Sequence, residues 1–129
     1  MRILLDTHTL LWYRSAEAAK LSPAARAAID DPENEKYVSA ATAWEVVAKH
    51  TLGKLPNAGV LAVDFTRTIL DAGYRPLSVT MEHAQDAGAL PLHHRDLFDR
   101  MLIAQALAER MPLVSNEALF DRYGVRRIW

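Results

Sequence analysis

Short apolar segments alternate with longer amphipathic stretches along the whole chain. The short segments have the length and apolar character of buried strands, and the longer ones repeat their apolar positions every three or four residues, as helices do. The predicted strands are RILLD, KYVSA, YRPLSVT, MPLVS and VRRIW. Strands that alternate with helices form a mostly parallel sheet with helices on both faces. The pattern therefore predicts a three-layer α/β fold with a central sheet of four or five short strands.

Residues with strong positional preferences mark the ends of several predicted helices. Ser22 followed by Pro23 predicts a helix start, because serine caps the first turn and proline suits the first helical position. The segment 60–73 predicts one amphipathic helix that ends at Gly73, a residue suited to the left-handed conformation after a helix. A long helix is predicted to begin near Asp96.

Composition narrows the class of protein. The chain has 129 residues, half of them hydrophobic, and we expect a single domain over residues 1–129. It has neither an apolar run that would span a membrane nor a signal-peptide pattern, so we expect a cytoplasmic protein. The absence of cysteine excludes disulfides, thiolate zinc sites and a cysteine nucleophile. The net charge of −1 means that binding of nucleic acid would depend on a local surface or on a bound metal.

Five acidic residues occupy positions that are unusual for a charged side chain. Asp6 directly follows the first predicted strand, and Glu117 lies just after the fourth. Glu45 and Asp99 each share a helical face with apolar residues, and Asp96 lies three residues before Asp99. Ligands of parallel sheets bind outside the carboxyl ends of the strands. We therefore expect these acids to lie near one site.

Carboxylates that gather in one place need a cation. They repel one another, and burial raises the cost of each charge. Mg²⁺ removes this cost, because it prefers oxygen ligands and binds through one or two carboxylates while it keeps several waters. In a chain without cysteine, an oxygen-rich site is also the natural one.

Each acid also has an ordinary structural interpretation. Asp96 is a suitable N-cap with Asp99 at the third helical position. Asp6 could cap the turn that follows it, and Glu117 could lie in a first turn where the helix dipole favours acids. Glu45 could lie at the rim of its helix rather than on the apolar face.

Basic residues near the acidic segments are candidates for holding the phosphates of a substrate. These residues are Lys49, Arg95 and Arg100. Solvated surface charge or ion pairing with the acids is the alternative for each of them.

The histidines and tryptophans near these segments have simpler interpretations. His93 and His94 are expected to be polar loop residues rather than metal ligands. Trp12 and Trp44 are expected to be core or dimer-surface aromatics rather than platforms for nucleobases.

Four segments together resemble PIN-domain ribonucleases, most closely the VapC-type toxins of bacterial type II toxin–antitoxin pairs. The segments cover essentially the whole chain in order: LLDTHTLLW, SAATAWEVVAKHTLGKL, HHRDLFDRMLIAQA and PLVSNEALFDRYGVRRIW. The resemblance implies a PIN-like fold and a metal-dependent endoribonuclease that uses Mg²⁺, or Mn²⁺ in its place. It also implies a homodimer that a cognate antitoxin keeps inactive by occupying the acidic groove.

The resemblance assigns roles by position. The metal-binding aspartate after the first strand is matched by Asp6, and the acid of the second segment by Glu45. Asp99 matches the aspartate before the apolar helical run, with Asp96 as a further acid upstream. The last acidic position is usually aspartate in this family, whereas this chain has Glu117, whose longer side chain puts direct metal ligation in doubt.

Two hydroxyl positions beside the acids are matched by Thr7 and Ser115, which could orient the carboxylates or the waters of the metal. We expect Asp6 and Asp99 to ligate the metal directly. Glu45 is expected to ligate it or to orient the attacking water, while Asp96 supports the site from outside.

Two other classes of protein have features in common with this sequence. A phosphatase of the haloacid-dehalogenase type also begins with an aspartate after a strand, but it needs a second aspartate two residues later, where this chain has His8. A non-catalytic PIN-like binding module with an acidic pocket is the other alternative. The presence of acids in all four segments favours the enzyme over this module.

Overall fold

The computed structural model describes residues 1–129, except for the side chain of residue 57. Five short strands form one sheet in the order β3-β2-β1-β4-β5, and all neighbouring strands are parallel. The strands are β1 (Arg2–Leu5), β2 (Glu35–Ser39), β3 (Arg75–Leu77), β4 (Leu113–Val114) and β5 (Arg127–Ile128). The predicted α/β fold with a central, mostly parallel sheet is confirmed.

Helices connect the strands. They are α1 (Thr7–Tyr13), α2 (Pro23–Asp30), α3 (Ala40–Thr51), α4 (Val60–Val63), α5 (Phe65–Asp71), α6 (Met81–Ala89) and α7 (Leu97–Glu109). Short 3₁₀ helices cover Ala18–Lys20, Pro56–Ala58 and Ala118–Tyr123. In the part of the chain that the structure describes, no helix has the length and apolar character needed to cross a membrane.

The two faces of the sheet carry separate apolar cores. Ile3 and Leu5 of β1 point to one face, where they pack with residues of α1 to α5. Leu4 points to the other face, where it packs with α7 and Phe120. Successive side chains of a strand alternate between faces, so β1 anchors both cores. Full burial of a side chain of this size contributes about 1.5–3 kcal/mol to the free energy of folding.

Helix ends follow the sequence signals at two positions and depart from them at a third. Ser22 caps α2 by accepting a hydrogen bond from the Ala25 N–H, and Gly73 adopts a φ of +86° after α5. The single helix predicted over 60–73 is wrong, because the chain breaks at Asp64 into α4 and α5. The backbone of Asp64 leaves the helical conformation, with φ −147° and ψ 81°, and its side chain caps α5. A short carboxylate competes with the backbone of a continuous helix in this way.

The order of the strands creates a switch point beside β1. The chain runs from β1 to β2 and β3 on one side and then returns to β4 and β5 on the other. The carboxyl ends of β1 and β4 lead into Asp6 and Ser115. Open parallel sheets bind their ligands at this kind of position.

Candidate active site

Asp6 is buried at the switch point and held by hydrogen bonds from two directions. It caps α1, because its Oδ1 accepts a hydrogen bond of 3.1 Å from the backbone N–H of His8. Its Oδ2 accepts a hydrogen bond of 2.6 Å from the Ser115 hydroxyl. Burial raises the pKa of Asp6 above its ordinary value, and the charge of Glu45 adds to this effect, while the bond from Ser115 and the proximity of His8 oppose it.

Glu45 projects from α3 as a buried carboxylate with one satisfied oxygen. Its Oε2 accepts a hydrogen bond of 2.5 Å from Lys49 Nζ, one turn later on the same helix. Its Oε1 is buried without a hydrogen-bond partner within the described residues. The bond to Glu45 raises the pKa of Lys49, and the charges of Asp96 and Asp99 act in the same direction. A buried carboxylate oxygen without a partner is costly, so Oε1 is an acceptor that a cation or a hydrogen-bond donor would stabilise.

Asp99 lies on the first turn of α7 with its carboxylate partly buried. Its Oδ2 lies 2.7 Å from Nε2 of His94. Burial raises the pKa of Asp99 to about 6, and the charges of Asp6 and Asp96 also raise it, while the bond to His94 lowers it. Asp96 is exposed and caps α7, because its Oδ1 accepts a hydrogen bond from the Asp99 N–H.

The three buried or half-buried carboxylates share one electrostatic environment. The charge of Glu45 acts on Asp6, and the charge of Asp6 acts on Asp99. No group of three or more metal-ligating side chains converges to a coordination geometry in the part of the chain that is described. The donor set nevertheless fits a hard divalent cation, because it offers oxygen ligands, an unpartnered Glu45 Oε1 and carboxylates with raised pKa values.

Comparison with known protein families shows to which family the chain belongs. The family profile described as PIN domain matches residues 3–125. The chain belongs to the PIN domain family. The sequence resemblance to PIN domains is thereby confirmed.

Two solved structures share this fold. VapBC2 from Rickettsia felis, bound to a DNA fragment from their promoter, matches with a TM-score of 0.64 at 15% identity over 100% of each chain. FitAcB from Neisseria gonorrhoeae matches with a TM-score of 0.57 at 19% identity, over 98% of this chain and 96% of that one. A comparison with curated protein sequences yields no match.

The remaining acidic and hydroxyl residues predicted for the site lie in different surroundings. Ser115 contacts Asp6 directly, as described above. The Thr7 hydroxyl lies 3.0 Å from the hydroxyl of Thr42, so it connects α1 to α3 rather than contacting a carboxylate. Glu117 is exposed, and its backbone N–H donates to the Ser115 hydroxyl at 3.1 Å.

The structure corrects the prediction that Arg100 holds a phosphate of the substrate. It is only 4% exposed, and its guanidinium donates hydrogen bonds to backbone carbonyls around the end of α6. The acceptors are the carbonyl oxygens of Ala87, Gly88, Leu90, Pro91 and His94. With both terminal nitrogens of the guanidinium bonded in this way and the side chain buried, Arg100 is held within the fold and is not presented to a substrate phosphate.

The other two basic candidates in this PIN domain differ in exposure. Lys49 forms an ion pair with Glu45. This pairing is the alternative to phosphate binding that the sequence left open for Lys49. Arg95 is exposed on the segment that leads into α7, so its guanidinium is accessible to a substrate.

His94 is a site residue that the sequence did not indicate. Its imidazole contacts Asp99, its ring packs edge-on against Phe120 at 5.5 Å, and its backbone N–H donates to the Tyr123 hydroxyl. The residue precedes α7, so helical spacing could not place it beside Asp99. Its neighbours Arg95 and Asp96 are the only local signal, because they extend the polar segment to the helix start.

Proposed function

We propose that this PIN domain is a metal-dependent endoribonuclease, the toxin component of a type II toxin–antitoxin pair, which hydrolyses RNA phosphodiester bonds. The observation that carries the proposal is the buried, unpartnered Oε1 of Glu45, a carboxylate whose charge acts on Asp6, just as the charge of Asp6 acts on Asp99. Three carboxylates from three separate segments, two with raised pKa values, form a site whose charge needs a cation. The resemblance of the four segments to VapC-type toxins supports the same function.

The residues fit a divalent metal in defined roles. Asp6 and Asp99 would hold Mg²⁺, or Mn²⁺ in its place, and Asp96 would support α7 at its first turn. When bound, the metal polarises a phosphoryl oxygen, lowers the pKa of water and neutralises charge on the leaving oxygen.

Neighbouring residues of the chain orient the carboxylates for this chemistry. Ser115 and the His8 N–H hold Asp6, and His94 holds Asp99. Lys49 occupies Oε2 of Glu45 and leaves Oε1 free to accept a proton from the attacking water or to orient it. Catalysis in this scheme depends on carboxylates that neighbouring residues hold in place before the substrate binds.

The proposed partners follow from the resemblance to VapC-type toxins. RNA is the substrate, and a cognate antitoxin covers the acidic groove of a homodimer until the toxin is released. The structural neighbours named VapBC2 and FitAcB support a place in such a system. The proposed substrate implies action in the cytoplasm.

Cleavage of RNA by the purified protein tests the proposal. We expect cleavage with Mg²⁺ and none with EDTA. Asp6→Asn should lower the rate by more than the about 100-fold loss that accompanies removal of a residue that only supports a ligand. Asp86→Asn, an exposed change on α6, is the matched control and should leave the rate unchanged. Equal rates for the two variants would show that Asp6 does not hold the metal.

A non-catalytic binding module is the second candidate. The observation that favours it is the lack of a converged group of metal-ligating side chains among the residues described. Such a module would bind RNA but leave it intact at any concentration of Mg²⁺. The cleavage assay therefore separates the two functions.

A further inference from the structure

A cleft of about 640 Å³ lies between α1 and the segment that follows α3. Its lining mixes aromatic, aliphatic and charged side chains, among them His8, Trp12, Lys54 and Leu55. The volume is in the range of small-ligand sites. Asp6, Glu45 and Asp99 do not line the cleft, but His8 does, and its backbone N–H donates to Asp6.

Trp12 presents a firmly held aromatic surface to this cleft. The indole is half-buried and packs against the core that covers one face of the sheet. Its ring lies 5.8 Å from that of His8 and 6.0 Å from that of Trp129, and Lys20 Nζ lies 5.6 Å from its centre. Lys20 is exposed and its ammonium lies over the ring, so a base that stacks on this face would take the place of the ammonium. An aromatic ring that is held by its packing can stack a base at little entropic cost.

The charges around the cleft favour a nucleotide. Lys54 is exposed at the lining, and its ammonium makes no ion pair within the described part of the chain. Glu17 also lines the cleft, and its carboxylate is paired with Lys20 at 3.3 Å, which leaves Lys54 as the cation available to a phosphate. His8 and Trp12 are one helical turn apart on α1, so the lining extends along the helix from the end that Asp6 caps.

We propose that this cleft binds a nucleotide next to the scissile phosphate, with its base stacked on Trp12 and a phosphate near Lys54. The inference rests on the proposed RNA cleavage, because it assigns a subsite to the same substrate. It gives Trp12 a role that differs from the core or dimer-surface position expected from the sequence. The single-stranded form of RNA is the one that fits, since its bases are free to stack on a side chain.

Binding of a short single-stranded oligoribonucleotide in EDTA tests the cleft without any cleavage. Trp12→Leu should weaken binding by between about fivefold and a hundredfold, the range expected for loss of one stacked base. Trp12→Phe keeps an aromatic ring and should stay closer to wild type than Trp12→Leu does. Trp44→Leu removes a tryptophan that is 69% exposed and lines a different cleft, so it should bind like wild type.

A fully abasic oligoribonucleotide provides a control that requires no change in the protein. Wild type should bind it more weakly than the intact RNA, and Trp12→Leu should bind both alike, because the stacked pair is already lost. If Trp12→Leu does not fold, this comparison still tests whether bases contribute to binding, and Trp12→Phe tests whether Trp12 stacks one of them. Equal binding of abasic and intact RNA by wild type would overturn the stacked subsite.

The salt dependence of binding tests the phosphate contact. Lys54→Ala should reduce the slope of log affinity against log salt by about 0.7, the value for one contact to a single strand. Arg67→Ala, a change of an exposed cation on α5, should leave the slope unchanged. An unchanged slope for Lys54→Ala would remove Lys54 from the subsite.

The outcomes separate this inference from the proposed function. If Trp12→Leu binds RNA as tightly as Trp44→Leu, the subsite is overturned even where Mg²⁺-dependent cleavage is found. If binding follows the expected pattern but no cleavage occurs, the nuclease proposal fails and the RNA subsite stands. RNA binding that is unchanged in Trp12→Leu, together with lost binding of an antitoxin, would identify the cleft as a protein site and also overturn the inference.

Discussion

Asp99 shows how a single side chain combines opposing electrostatic effects. Burial and the charges of Asp6 and Asp96 raise its pKa, and the bond to His94 opposes them without cancelling them, so the pKa lies at about 6. The ordinary value for the unfolded chain is 3.8. The folded, metal-free protein therefore binds this proton more tightly than the unfolded chain does.

Replacement of Asp99 should stabilise the metal-free protein at high pH. The contribution of Asp99 is fully present below about pH 4 and is lost as pH rises through about 6, because the folded state must then give up the proton. In EDTA at pH 8, we expect Asp99→Asn to raise the free energy of unfolding by about 1–3 kcal/mol over wild type. The difference in the free energy of unfolding between Asp99→Asn and wild type should become smaller toward pH 4.

Denaturant titrations at pH 4, 6 and 8 measure this difference. Asp86→Asn serves as the exposed control and should show no comparable dependence on pH. A constant difference between Asp99→Asn and wild type at all three values would contradict the raised pKa of Asp99.

At the scale of elements, Arg100 connects α7 to the segment that precedes it. Its guanidinium bonds carbonyls at the end of α6 and also the carbonyl of His94, whose imidazole contacts Asp99. One buried cation thereby holds the segment that carries His94 in front of the first turn of α7. The packing of α6 and α7 and the position of Asp99 are thus linked through a residue outside the carboxylate group.

Conservative replacement of Arg100 should therefore act on stability. Arg100→Lys keeps the charge but offers three donors rather than a planar fork of five, so buried carbonyls lose their partners. We expect a loss of about 2–4 kcal/mol in the free energy of unfolding, measured by denaturant titration. Arg95→Lys at an exposed position is the matched control. If Arg100→Lys has wild-type stability but binds RNA more weakly, Arg100 contacts the substrate instead.

At the scale of the whole molecule, the strand order brings distant parts of the chain to one edge of the sheet. Asp6 and Ser115 are 109 residues apart, yet their side chains are bonded because β1 and β4 are neighbours. The carboxylates of α3 and α7 reach the same region from separate connections. Under the proposed function, the charge that gathers there would make folding and metal binding depend on each other.

Mg²⁺ should consequently raise the melting temperature of the folded protein. At a tenfold excess of free Mg²⁺ over its Kd, the stabilisation is about 1.4 kcal/mol, or roughly 4–6 °C for a chain of this size. Asp6→Asn should lose most of the shift, while Asp86→Asn keeps it. Thermal scans with and without EDTA measure the effect. Equal shifts in the two variants would argue against a metal at Asp6.

Local patterns in the sequence predicted what depends on near neighbours. The alternation of strands and helices, the cap at Ser22 and the closing glycine at Gly73 all follow from residues a few positions apart. The unusual positions of Asp6 and Glu45 were also visible, because a carboxylate within an apolar pattern stands out. The break at Asp64 was not predicted, since apolar spacing continues across it.

Only the tertiary structure decided which side chains meet. The sequence by itself determined the class of fold and the acids that needed an explanation, because periodicity and charge can be read locally. It could not show that Arg100 is enclosed by carbonyls, that Thr7 contacts Thr42, or that His94 reaches Asp99. Those contacts depend on strand order and on loops that cross between elements. The free energy that selects them comes from packing the whole molecule and not from any one segment.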